Sequence, residues 1–77
     1  MSKNRRPKAS QEKRAEIVTV ARTLFVDAGY DATSMGRLAA AAGVASNTIY
    51  WYFADKDAVL VAVLDDVMAD AWDEYQS

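Results

Sequence analysis

Five neighbouring side chains, Ser46, Asn47, Thr48, Tyr50 and Trp51, bring together hydroxyls, a carboxamide and two aromatic rings, and no carboxylate occurs anywhere between Asp31 and Asp55. A helix face turned to water ordinarily carries Glu and Lys, whereas a face pressed against phosphates and base edges excludes acids and uses amides and hydroxyls. Asn47 suits a two-hydrogen-bond pairing with adenine in a major groove, and the Thr48 methyl can meet a thymine methyl. Tyr50 is read as a DNA contact. For Trp51 that reading and a place in the core of a small domain stand side by side.

Other chemistry is excluded by what the chain lacks. Its 77 residues include no His and no Cys, so no disulfide framework, zinc finger, thiol nucleophile or histidine base can be built. Asp27 and Asp31 are turn carboxylates with no matching base, metal-ligand cluster or Gly-rich phosphate loop. The chain is therefore expected to be no enzyme and to need no metal or cofactor. Its longest apolar run, Ala58 to Leu64, is too short to span a bilayer, and the start carries no secretory signal. A cytoplasmic protein without membrane association is expected.

A formal net charge of -2 conceals an uneven distribution. Through residue 14, Lys3, Arg5, Arg6, Lys8, Lys13 and Arg14 face Glu12 alone; beyond it only Arg22, Arg37 and Lys56 oppose ten acids, seven of them at or after Asp55. Such a bipolar chain fits one whose first two thirds meet an anion and whose last third does not. Taken alone, the basic start reads equally well as a solvated tail.

The elements that must position these residues are helices. Glycines and the one proline fall at segment edges, and no alternating β-branched run suggests a strand, so the fold class is all-α. Ser10 is expected to cap a first helix whose apolar residues Ile17, Val20, Ala21, Leu24, Phe25 and Ala28 make one face. Gly29 should end it in the left-handed conformation, with Tyr30 folding back on Phe25 as in a Schellman contact. A short second helix, capped by Thr33 or Ser34, buries Leu38, Ala39 and Ala42 and stops at Gly43. A third begins near Ala45 or Ser46 and runs to Phe53, with Val44, Ile49, Tyr52 and Phe53 apolar. A fourth is capped by Asp55 and continues through Leu60, Val63, Leu64, Val67, Ala71 and Tyr75.

Ser34 to Phe53 has the spacing of a helix-turn-helix. Ala39 supplies the small residue where two steeply crossed helices approach, Gly43 the positive φ of the turn, and Ile49 the aliphatic that drops into the shared core. An ordinary helical hairpin needs the same three, and the acid-free outer face is what favours DNA.

Together these residues resemble the Tet repressor (TetR) family of bacterial transcriptional regulators. The resemblance rests on Leu24-Phe25, Gly29-Tyr30, Ala32-Thr33-Ser34-Met35, Leu38-Ala39, Ala42-Gly43-Val44, Thr48-Ile49-Tyr50, Tyr52-Phe53 and Lys56, and spans roughly Glu16 to Leu64. It implies a three-helix DNA-binding bundle with a helix-turn-helix, a fourth linking helix, and homodimerisation through a larger helical domain that binds a small-molecule inducer. By position it implies that Ser46, Asn47 and Thr48 lie at the major-groove end of the recognition helix, and that Tyr50 and Tyr52 contact phosphates and bases. Ser34 or Thr33 would hold a phosphate at the start of the second helix and Lys56 at the start of the fourth, where free helix amides also suit an anion. Arg5 and Arg6 would reach a neighbouring minor groove.

Three positions depart from the family pattern. Ala45 stands where a capping Ser is common, which would let Ser46 cap instead. Arg37 stands where an acid often completes a capping box, which favours a phosphate or base contact there, and Gly36 has no side chain to read a base. The expected organisation is a basic flexible arm (1–9), a helix-turn-helix DNA-binding domain (10–54) and a linking helix (55–77) leading toward an effector and dimerisation domain absent from this chain. The expected function is that of a ligand-released repressor, dimeric in its full-length form, on a pseudo-palindromic double-stranded operator. The alternative is a small helical protein-protein interaction module using the apolar face from Val59 to Val67.

Overall fold

The computed structural model describes the backbone of residues 8–76 and the side chains of residues 10–74. Arg5 and Arg6, and the side chain of Tyr75, lie outside the described residues. Four helices follow one another: α1 (Lys8–Asp27), α2 (Met35–Ala42), α3 (Ser46–Tyr52) and α4 (Lys56–Gln76). Helix α1 packs against both α2 and α4, while α3 packs on α2.

The start of α1 differs from expectation. Lys8, Ala9, Gln11 and Glu12 are all strong helix formers, so the helix extends back past Ser10, which lies inside it and does not cap it. At its other end the Gly29 N–H donates to the Phe25 carbonyl at 3.1 Å, with Gly29 at φ +94°. That single bond is the αL closure and not the Schellman pair, although Tyr30 does fold back on Phe25, edge to face at 5.2 Å between ring centroids.

The Schellman pair appears instead at α2. There Val44 N–H donates to the Ala39 carbonyl at 2.9 Å and Gly43 N–H to Ala40 at 3.2 Å, with Gly43 left-handed at φ +74°. Ser34 caps the start of α2, its hydroxyl accepting from the Arg37 N–H at 3.0 Å. Asp55 caps α4 in the same manner, accepting from the Ala58 N–H at 2.9 Å. Helix α3 has Ala45 at its N-cap position with no side-chain bond, so Ser46 begins the helix and does not cap it.

The core contains Ile17, Val18 and Ala21 from α1; Met35, Leu38, Ala39 and Ala42 from α2; Ile49 and Phe53 from the α3 region; and Val59 and Val63 from α4. Because α1 packs on both α2 and α4, its buried surface includes Val18, beyond the stripe expected, while Ala28 falls after the helix and is exposed. Helix α4 shows the larger departure. Val59 and Val63 are buried, but Leu64, Val67 and Ala71, expected on the same face, are exposed, as are Val61, Met68 and Trp72. A helix of 21 residues is about 31 Å long, and α1 covers only its first half. Farther along, Arg22 forks between Asp66 at 3.0 Å and Asp70 at 2.8 Å, joining α1 to α4 beyond the last buried apolar residue.

Candidate nucleic-acid interface

The exposed surface of α2 and α3 is made of the residues their core faces leave over. In α2, burying Met35, Leu38, Ala39 and Ala42 turns Gly36, Arg37 and Ala40 outward; in α3, burying Ile49 turns Ser46, Asn47, Tyr50 and Trp51 outward. Thr48 is half-buried. The outward surface carries hydroxyls, an amide, aromatic rings and one guanidinium, with no acid.

The structure separates the candidate residues into three groups. Ser34, Arg37, Ser46, Asn47, Tyr50 and Trp51 are exposed on this surface, Tyr50 at 53% and Trp51 at 69%, so the core reading of Trp51 is set aside. Ser34 uses its hydroxyl as a cap but keeps the rest of its side chain at the surface. Tyr52 and Thr48 are intermediate. Tyr52 packs against the core and stands edge to face with Trp51, centroids 4.9 Å apart and planes at 86°. One edge of its ring thus serves the fold, and it orients the indole beside it.

Thr33 is placed otherwise than the sequence suggested, and Lys56, half-exposed, spends one of its donors inside the fold. Thr33 is fully buried and its hydroxyl donates to the Gly29 carbonyl at 2.8 Å, so it holds the α1–α2 turn from inside and has no access to a phosphate. Its hydroxyl points inward because the turn's free carbonyl lies there and a buried carbonyl needs a donor. The Lys56 ammonium donates to the Tyr30 carbonyl at 2.7 Å and lies over the Tyr30 ring, 4.1 Å from its centroid. The Tyr30 hydroxyl in turn donates to an Asp57 carboxylate oxygen. That bond favours the neutral phenol and, with burial and the surrounding carboxylates, pushes Tyr30 up to about 12.

Two cations that the charge count grouped with the basic start prove to be parts of this assembly. Lys13 pairs with Glu16 at 2.9 Å and donates at 3.4 Å to the carbonyl of Ala42, the last residue of α2. A cation there complements the negative end of the helix. Arg14 lies over the Phe53 ring, 4.9 Å from its centroid, at the exit of α3. Only tertiary packing could reveal the Lys13–Ala42 and Arg14–Phe53 contacts, since they join residues distant in sequence.

A short helix, a left-handed glycine turn and a second short helix with an acid-free outer face define a helix-turn-helix DNA-binding domain. The family model for bacterial regulatory proteins of the tetR family matches residues 17–63, and the chain belongs to that family, this segment being its N-terminal DNA-binding domain. Among curated proteins it is similar to the HTH-type transcriptional regulator AcrR of Shigella flexneri, 38% identical over 68 residues that make 88% of this chain and 28% of the relative. It is also similar to the HTH-type transcriptional repressor KstR2 of Rhodococcus jostii, 31% identical over 83% of this chain and 31% of that protein. The HTH-type transcriptional activator FasR of Mycolicibacterium smegmatis is 38% identical over 79% of this chain and 27% of its own length. The chain thus spans less than a third of the length of these relatives, all of which are transcriptional regulators. Among the described residues no helix is long and apolar enough to cross a membrane.

Proposed function

We propose that this chain reads double-stranded DNA in the major groove through Arg37, Ser46, Asn47, Thr48, Tyr50 and Trp51, with Ser34 at a phosphate, as the DNA-binding part of a ligand-released repressor. The observation that carries the reading is the outer surface of α2 and α3, which offers hydrogen-bonding groups, aromatic rings and one guanidinium without a single carboxylate. Arg37 supplies charge to a phosphate or a guanine edge, and Asn47 supplies the paired donor and acceptor that match adenine.

Residues 10–54 are the reading unit and residues 55–77 a linking helix toward an effector domain that binds an inducer and dimerises. The exposed Val61, Leu64 and Met68 support that role for α4, because an apolar stripe with no covering element within the described residues calls for a partner. Two such chains on one duplex match a pseudo-palindromic operator, each contributing one half-site. Repression is the proposed sign; the similar proteins include a repressor, KstR2, and an activator, FasR, and transcription from the operator with and without the protein distinguishes the two. A cytoplasmic location accords with that role.

The test is a titration of isotope-labelled protein with a short mixed-sequence duplex at low and then higher salt, following backbone amides. Shifts at Ser34, Arg37 and Ser46 to Trp51 that vanish with salt are expected. Undisturbed amides there, with shifts confined to α4 when candidate protein partners are added, would replace this reading by the helical interaction module.

A further inference from the structure

With Ile49 turned into the core and Tyr52 packed against it, α3 keeps Asn47, Tyr50 and Trp51 along one exposed strip, at spacings of three and four residues. No residue of α3 carries a charge, and the one cation of α2 and α3, Arg37, stands on α2. In a major groove the four bases take different partners. Guanine is read mostly by the paired donors of Arg or by Lys, and the cytosine amino group by the carboxylate of Asp or Glu; α3 has none of them. Adenine takes the paired donor and acceptor of a carboxamide, and the thymine methyl takes an apolar surface. Helix α3 presents both. The exposed Asn47 carboxamide makes no hydrogen bond among the described residues. The exposed Trp51 indole is held edge to face by Tyr52, which is itself anchored on the core.

We infer that α3 reads a short block of A·T pairs, with Asn47 on an adenine edge and the Trp51 indole on a thymine methyl. The inference rests on the DNA reading above and deepens it by naming the base pairs. Four residues of helix rise about 6 Å and base pairs stack about 3.4 Å apart, so these two side chains span about two base-pair steps. The block is therefore about three pairs long. Because Tyr52 already holds the indole, Trp51 has less freedom to lose on docking, and an apolar ring fixed in place discriminates a methyl group from its absence.

The experiment selects duplexes from a random-sequence pool at low salt with the unsubstituted chain, then alters the selected block one pair at a time and measures affinity. Uracil in place of thymine deletes only the methyl group. Hypoxanthine paired with cytosine presents the major groove of a G·C pair but lacks the guanine amino group in the minor groove, so it separates base reading from groove shape. The selected duplexes are expected to share an A·T block. Uracil at one position should weaken binding roughly fourfold, the worth of one buried methyl-sized group. A hypoxanthine–cytosine pair at another should weaken it about fivefold or more. In Trp51→Ala the thymine and uracil duplexes should bind alike, and in Asn47→Ala the A·T and hypoxanthine–cytosine duplexes should bind alike. A merely structural role would weaken both members of each pair equally and preserve the difference. Equal affinity of the unsubstituted chain for thymine and uracil, differences that survive these substitutions, a selected block of G·C pairs, or salt-dependent binding with no enrichment each overturns the assignment and leaves the DNA reading standing. Failure to bind any duplex overturns the DNA reading itself and the proposal with it.

Discussion

Arg37 and Thr33 lie four residues apart, yet one faces outward from α2 and the other is fully buried. Their substitutions should therefore separate binding from stability. Arg37→Ala should leave the unfolding midpoint nearly unchanged and make the salt dependence of DNA binding shallower by about 0.9 in log-log slope. Thr33→Val, close in volume, removes the donor to the Gly29 carbonyl and leaves that acceptor unpaired, costing about 1–3 kcal/mol in urea unfolding. The salt slope of the Thr33→Val variant should match that of the unsubstituted chain. Asn47→Ala has a different signature: loss of discrimination at one base pair, about 1–3 kcal/mol, with little change in affinity for mixed sequence. Tyr30 adds a pH dependence. Its phenol is neutral up to about pH 12 in the folded chain and only to about 10 when unfolded, so the stabilisation it provides is complete below pH 10 and is lost as pH rises toward 12. Thermal unfolding across that interval should fall less steeply in Tyr30→Phe, which has no such proton to lose.

At the scale of elements, punctuation residues decide where helices begin and end. Gly43 holds φ +74° with nothing within 4 Å of where a Cβ would stand, so Gly43→Ala meets no clash and suffers only the torsional cost of a left-handed alanine, about 1–2 kcal/mol. Ser34→Ala removes the α2 cap and should cost about 1 kcal/mol by the same unfolding assay. These signals are local, which is why the stop at Gly43 and the cap at Asp55 were legible in the sequence and the cap of α2 was narrowed to Thr33 or Ser34. The Ser10 cap was not correct, because good helix formers on both sides of a serine extend a helix through it. The exchange of closure motifs between α1 and α2 was also illegible, since αL and Schellman ends demand the same glycine and differ only in which carbonyl is reached.

For the whole molecule, the packing of α1 on both α2 and α4 decides what each face does. Helix α4 is held over its first half by Val59 and Val63 in the core, and farther along by the fork from Arg22 to Asp66 and Asp70. Both carboxylates raise the Arg22 pKa, Asp70 first, and the guanidinium stays charged throughout the working range. Arg22→Met should leave the melting temperature of the bundle nearly unchanged, because the bridges are exposed. It should nevertheless speed hydrogen exchange of α4 amides beyond Val63, and an unchanged exchange profile there would show that the fork does not hold the helix.

Sequence alone determined the fold class, the four helices, the family and the acid-free character of the outer surface, because periodicity, caps, turn glycines and charge distribution act over a few residues and are written in order along the chain. Tertiary structure decided which of those residues are free to meet a ligand. Thr33 and Ser34 are adjacent hydroxyls of equal promise in sequence, and only the carbonyl of Gly29 draws one of them inside. Lys56 reads as a cation at a helix start, and only the fold shows that one of its three donors goes to the Tyr30 carbonyl, 26 residues earlier. The exposed stripe of α4 likewise depends on where α1 stops covering it. Availability is a property of contacts between distant residues, and a chain read in order does not contain them.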